Sequence, residues 1–531
     1  MINPTHSLRV ALLLALTTLL TVTLWELNSH PLTCSYDKKA KDLYDPGSLY
    51  STHEVYNNTL YQNGLNNNVH AQHNFSRPCE GFPDTTNIMF IMKTGASEAF
   101  QKLPTQLLTT MSCLPDFLIF SDLEQQIGKY HLYDALDRVS PTLMNQYPEF
   151  ELYKAQKFCP IPQHYCAAEM SGGWDLDKYK FLNIADRVWQ RRPGMDWYVF
   201  AEADTYIVWS NMVQWLREEA PKGPQYLGNV ALLNEFPFAH GGSGYVVSGE
   251  LMKTMANNIT DLATKYDERA GGVCCGDFLF AKAASEVGTN VQQVHPMFNG
   301  ERPLSIPYGH GQWCEPIISM HHVSPEEVST LWQFEQTRKN KSTLLIKDIY
   351  EAFMAPSLTQ FRQDWDNLSD DTCFIGPHQV DQENAGDTEK SRQKLEREKT
   401  IVEKEAHKSP TACAKVCEAD KLMIPEDEYL ALSDDIKKDH YLQEKYEKRI
   451  REDVGGVFRR GRSCFQWRYH QGACCISQSF KLGMPRHGAV EDEWTSGFFV
   501  KGIKQWIEAR GECLHPDWRE PYLTSPMHES E

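Results

Sequence analysis

Short apolar runs alternating with helical patterns constrain the fold of this chain more than any other feature. NIMFIMK (87 to 93), DFLIFSD (116 to 122) and DWYVFAEAD (196 to 204) are separated by segments such as DKYKFLNIADRVWQ (177 to 190). Strands bounded by turns and separated by helices predict an α/β domain with a mainly parallel sheet. In such a sheet ligands gather at the carboxyl ends of the strands. The third run places two carboxylates, Glu202 and Asp204, at the end of a strand that otherwise reads as buried. Alternation along a strand points both to one side, with Ala203 leaving room between them. Hard oxygen ligands at the lip of a sheet suit manganese or magnesium, which in turn neutralises a diphosphate. A turn-capping pair of acids on a wet surface is the bland alternative.

With 531 residues the chain is long enough for two folded units plus connectors. A net charge of -18 argues against a nucleic-acid surface. Val10 to Trp25 carries no charge, and Leu8 to Leu27 approaches the roughly 20 residues of a spanning helix. The TLWELNSH stretch is a poor cleavage site, so a retained signal anchor is expected over residues 1–27, with the rest of the chain lumenal. Sequons at Asn57, Asn74, Asn258, Asn340 and Asn367 agree with that compartment, as do fifteen cysteines read as disulfides. The odd count leaves one thiol over. Cys34 is the candidate, either free or joining two chains as a homodimer, with a bridge to Cys79 as the alternative.

Residues 28–84 are polar and Asn-rich and read as a stem. A first folded domain is expected over 85–373, a charged linker over 374–410, and a small disulfide-rich domain over 411–520. Its cysteines lack paired CxxC spacing, which favours disulfides over zinc.

The motifs resemble the fringe-like branch of glycosyltransferase family 31, particularly its core-1-galactosyltransferase-like and fungal members. DWYVFAEADTYIV is similar to the family's strand ending in a DDD motif, with Glu202 and Ala203 replacing the first two acids. DKYKFLNIADRVW resembles its lysine-bearing helix, FAHGGSGYVVS (238 to 248) its GGAGYVLS segment, CCGDFLFAKAASEVG (274 to 288) its EDVxxG helix with Gly276 in place of Glu, and ISMHHV (318 to 323) its SFHYV. The resemblance implies a GT-A-type fold. It makes Asp204 and His321 metal ligands, with adjacent His322 as the alternative to His321, since only one of two neighbours on a strand can face a cleft. Glu202, Lys178, Lys180, Thr94 and Asp122 become candidate donor contacts, the two lysines reading otherwise as solvated helix residues. Gly241, Gly242, Gly244 and Trp174 are expected on the acceptor side. Asp277 is the candidate general base, or else the N-cap of its helix. CAKVCEAD, CFQWRYHQGACCISQSFKLG and WTSGFF resemble a PAN or apple domain.

The implied activity is inverting, Mn2+-dependent transfer of a hexose from a UDP-sugar, galactose foremost, in β-1,3 linkage to a glycan or glycoprotein acceptor. The implied location is the Golgi membrane in type II orientation. The alternative is a non-catalytic lectin or adhesion protein on a decayed transferase fold, and the EAD variant feeds it.

Overall fold

The computed structural model describes residues 79–159, 163, 170, 172–338, 341–376, 387–419, 464–486 and 493–524. The expected anchor, Cys34, the sequons at Asn57, Asn74 and Asn340, nearly all of the stem, and the charged insertion beyond Cys417 lie outside the described residues. Among the described residues no helix is long and apolar enough to cross a membrane.

The apolar runs become β1 (Ile88–Lys93), β2 (Phe117–Ser121) and, after β3 (Gln125–Ile127) and β4 (Tyr130–Asp134), β5 (Trp197–Glu202). With β6 (Tyr226–Gly228), β7 (Tyr245–Ser248), β8 (Gln292–Gln293) and β9 (Tyr522–Leu523) they form a nine-stranded sheet, ordered β9-β8-β6-β7-β5-β1-β2-β4-β3. Its centre, β4-β2-β1-β5, is parallel as expected. Overall it is mixed, because β7 lies antiparallel between β5 and β6, and β3 and β9 close the edges antiparallel.

Successive strand residues face opposite sides, so a strand covered on both faces must be apolar at every position. Met89 and Ile91 accordingly join one core, together with Phe181, Ile184 and Val188 of α2 (Lys180–Arg191); Phe90 and Met92 join the other, with Leu103 and Leu107 of α1 (Ala99–Leu108). In register Lys93 stands beside Phe120 on β2 and Glu202 on β5. The three strands therefore finish almost level, which delivers Thr94, Asp122 and Asp204 to one edge.

A second, antiparallel sheet has five strands, in the order Arg362–Gln363, Trp494–Phe498, Gln466–His470, Ala473–Ser477 and Thr372–Ile375. Both of its edge strands begin ahead of residue 374, so this sheet starts upstream of the boundary expected from sequence. Three disulfides tie it together: Cys373–Cys475, and two from helix Pro410–Ala419, Cys413–Cys474 and Cys417–Cys464. Within the charged linker, Asp387–Ser391 and Ile401–Glu405 are short helices. A further core, at the seam between the two halves of the chain, packs Tyr206, Trp313 and Tyr350 with Phe465, Phe480, Phe498 and Trp506. A Cys314–Cys513 bridge crosses the same seam.

Two expectations are corrected. Cys79 pairs with Cys113, which removes it as a partner for Cys34. Asn367 is fully buried, and its side-chain amide donates to the carbonyls of Trp467 (3.0 Å) and Gly497 (3.2 Å), so this sequon is part of the packing and cannot carry a glycan in the folded protein. Asn258, at the exposed end of its helix, can.

Candidate functional site

β5 stops at Glu202, and a turn rather than strand alternation presents Asp204. The turn is held from three directions. The buried Gln106 amide on α1 donates to the carbonyls of Ala203 (3.1 Å) and Thr205 (3.0 Å). The Thr205 hydroxyl donates to the Gly242 carbonyl (2.8 Å), and the Val323 N–H donates to the Asp204 carbonyl (2.9 Å). Ser319 closes the triangle by donating its hydroxyl to the Ser243 carbonyl at 2.6 Å. Three segments remote in sequence, the acidic turn, the glycine-rich stretch and the histidine pair, are thus locked together.

There a ligand atom from each of Asp204, His321 and His322 lies within 4.8 Å of the others. His321 Nε2 is 3.4 Å from Asp204 Oδ1 and 3.8 Å from Glu202 Oε2. The choice between the two histidines dissolves. The short strand Ser319–Met320 ends before them, and His322 adopts a positive φ of 56°, so strand alternation no longer applies and the rings lie 3.8 Å apart on the same side. His240 meets His321 edge-on at 5.4 Å. Burial would push the His321 imidazole down, but Asp204 and Glu202 override it and raise its pKa to about 9. Burial likewise pushes the Asp204 carboxyl up, and His321 and Lys102 more than offset that.

The residues present fit a divalent first-row ion. Imidazole nitrogen with carboxylate oxygen is the donor set such an ion takes, and the 3.4 Å gap is about that between two ligand atoms each about 2 Å from one ion. His321 Nδ1 is buried without a hydrogen-bond partner, so the protein holds the ring through Nε2 alone, which faces Asp204 and Glu202. Gly242 explains how the ring fits: a Cβ there would lie 2.1 Å from His321 Cε1.

The lysines expected to contact a donor are not solvated. Lys178 pairs with Glu149 at 2.8 Å, and Lys180 reaches Asp122 (3.2 Å), Asp177 (3.3 Å) and the Thr94 carbonyl (3.0 Å). Both are buried, and their charges organise the acidic floor. Two further lysines were not evident from sequence. Lys93, the last residue of β1, pairs with Asp177 and with Glu202 (3.0 Å) and lies 4.4 Å over the Phe181 ring. Although burial pushes the Glu202 carboxyl up, Lys93 and His321 hold it far below its ordinary range. Lys102 bridges Glu98 (2.6 Å) and Asp204 (3.1 Å). A signal for Lys93 was present, since a cation closes an otherwise apolar run level with Glu202. Nothing comparable marked Lys102 or Gln106.

Asp277 is the second residue of α3 (Gly276–Glu286), inside the N-cap Cys275, whose own side chain makes no capping bond. One carboxylate oxygen accepts from the Gly241 N–H (2.9 Å) and the other from the Phe278 N–H (2.8 Å). Burial outweighs both bonds and raises its pKa to about 6. Gly276 packs so closely that a Cβ would meet Phe181 Cδ2 at 2.3 Å, which leaves no room there for a larger residue.

A cleft of about 540 Å³ gathers Thr94, Asp122, Trp174, Lys178, Lys180, Glu202, Asp204, Gly242, Asp277, His321 and His322 along its walls. Gly241 acts through its N–H on Asp277, beside a narrower recess next to Lys93 and Glu202. Gly244 does not line the cleft; it has φ +75° and turns the chain into β7, with Phe200 O 3.3 Å from where its Cβ would be. No protein-family model matches the chain.

Proposed function

We propose that this protein is a metal-dependent, inverting glycosyltransferase with a GT-A-type catalytic domain, moving a hexose, galactose foremost, from a UDP donor in β-1,3 linkage to an acceptor glycan. One observation carries the reading: Asp204, His321 and His322 converge at the carboxyl ends of the central strands while Asp277 lies in the same cleft. Asp204 and the two imidazoles would hold Mn2+, which supplies Lewis-acid stabilisation of a diphosphate leaving group. Asp277 takes the proton of the attacking hydroxyl, and its raised affinity for protons suits it to that work. Its two backbone donors fix the carboxylate in place. Lys93 keeps Glu202 ionised and aimed at the same corner as His321. The disulfides support an oxidising compartment such as the secretory lumen.

A non-catalytic binding protein remains the competing reading, favoured by the Lys102–Asp204 pair, which already neutralises the acid assigned to the ion. UDP-galactose hydrolysis by the lumenal portion, with and without Mn2+, decides between them. The transferase reading requires Mn2+-dependent turnover that disappears in Asp204→Ala. Absence of metal-dependent turnover with every common UDP-sugar would leave the binding protein.

A further inference from the structure

The cleft offers two kinds of surface. Glu98, Lys102, Glu202, Asp204, His321 and His322 are charged or ionisable, as are Asp177, Lys178 and Asp277, whereas Trp174, Leu152, Phe238 and the adjacent Cys274 and Cys275 supply apolar or sulfur surface among them. Cys274 and Cys275 are joined to each other by a disulfide, and both are partly exposed. A disulfide between chain neighbours offers neither O–H nor N–H. It gives a ligand polarisable sulfur with almost no capacity for hydrogen bonding. Trp174 is 67% exposed, and among the described residues it is the only tryptophan in the exposed class. A large indole left in water beside a built cleft is matched to a ligand rather than to the core.

We propose that the Cys274–Cys275 disulfide and the Trp174 indole form the acceptor seat, and that it takes a pyranose ring by its C–H face. The inference rests on reading the cleft as a glycosyl-transfer site, and it names the acceptor class for that site. A pyranose has the required two-sided chemistry, with axial C–H bonds that stack on soft or aromatic surface and hydroxyls around the rim. The disulfide sits immediately ahead of Gly276 and Asp277 at the start of α3. A ring seated there brings its hydroxyls toward the carboxylate that must deprotonate one of them. The charged part of the lining is left for the donor's diphosphate. Trp174 and the disulfide are thus specificity-determining groups; neither exchanges a proton.

Saturation-transfer NMR with the methyl glycosides of galactose, glucose and N-acetylgalactosamine tests the seat on the whole lumenal chain, with UDP affinity in Mn2+ measured alongside by calorimetry. At least one glycoside should receive saturation at its ring C–H protons. Trp174→Ala and the double variant Cys274→Ser/Cys275→Ser should each weaken that glycoside about tenfold, the scale of one lost stacking contact, and leave UDP affinity within about twofold. No glycoside binding, or binding indifferent to Trp174→Ala, overturns the seat. Trp174 is exposed, so its removal leaves the fold intact even where the cysteine variant fails to fold. UDP that does not bind while a glycoside does would sink the transferase reading and leave the seat standing; the reverse result sinks the seat alone.

Discussion

The lip of the central sheet and the seam between the two halves of the chain are built from opposite materials. At the lip, buried Lys93, Lys180, Asp122 and His321 are brought together with half-buried Glu202 and Asp204. At the seam, Trp313 and Trp506 meet at 5.0 Å, Phe480 and Trp506 at 5.8 Å, and the Cys314–Cys513 bridge crosses beside them. Burying apolar rings stabilises a fold, whereas burying charge costs it unless every charge is paired. A protein that keeps six charged groups at one edge while holding itself together elsewhere has separated its charged cleft from the region that stabilises it.

That separation can be broken most directly at Asp277. Asp277→Asn should lower turnover by about 10² to 10⁴-fold, the usual contribution of a general base, with little change in melting temperature. The wild-type pH profile sharpens the point. As the proposed base Asp277 has to be ionised, so kcat/KM should climb as pH rises through about 6. Its pKa is raised on folding from 3.8, so its contribution to stability is complete below about pH 3.8 and is lost as pH rises through about 6. Activity and this part of stability should therefore move in opposite directions across the same interval, which paired activity and denaturation measurements will detect.

Trp506→Ala is the mirror experiment. It should cost about 3–5 kcal/mol of stability, as large-to-small core changes do, and leave the turnover of the folded fraction nearly unchanged. A matching loss of turnover per folded molecule would mean that the seam and the lip are coupled. Next in size, Gly242→Ala forces the His321 ring away and should weaken Mn2+ binding about 10- to 100-fold, read by electron paramagnetic resonance of the free ion, because misplacing a ligand costs about what losing its supporting contacts does. The smallest effect is expected at Asn367. Its replacement by Ala leaves Gly497 O without this partner and should cost about 1–3 kcal/mol, while glycopeptide mapping should find a glycan at Asn258 and none at Asn367.

Much of the lip could be read from the chain, for a physical reason. Strands covered on both faces announce themselves as unbroken apolar runs, and where a run ends in acid the edge of the sheet is marked. The turn at Asp204, the glycines and the histidine pair were each visible as local chemistry. What joins them was not. Gln106 and Thr205 act through carbonyls that carry no sequence signature, and His322 faces the site only because its backbone turns left-handed. Pairing partners are equally hidden: nothing in YVVS says that Tyr245–Ser248 runs against β5, or in TCFI that Thr372–Ile375 completes the second sheet. The Asn367 triplet shows the converse hazard, since three residues that match a modification signal are occupied as packing.

The last described strand, Tyr522–Leu523, pairs with Gln292–Gln293 at the margin of the central sheet after the chain has already built the second one. The polypeptide thereby returns to the sheet that its first half built. Excising that half for expression, or grafting the tail onto another protein, would strip an edge, sever a covalent tie and bare a cluster of indoles, so the two halves have to be inherited and engineered as one piece.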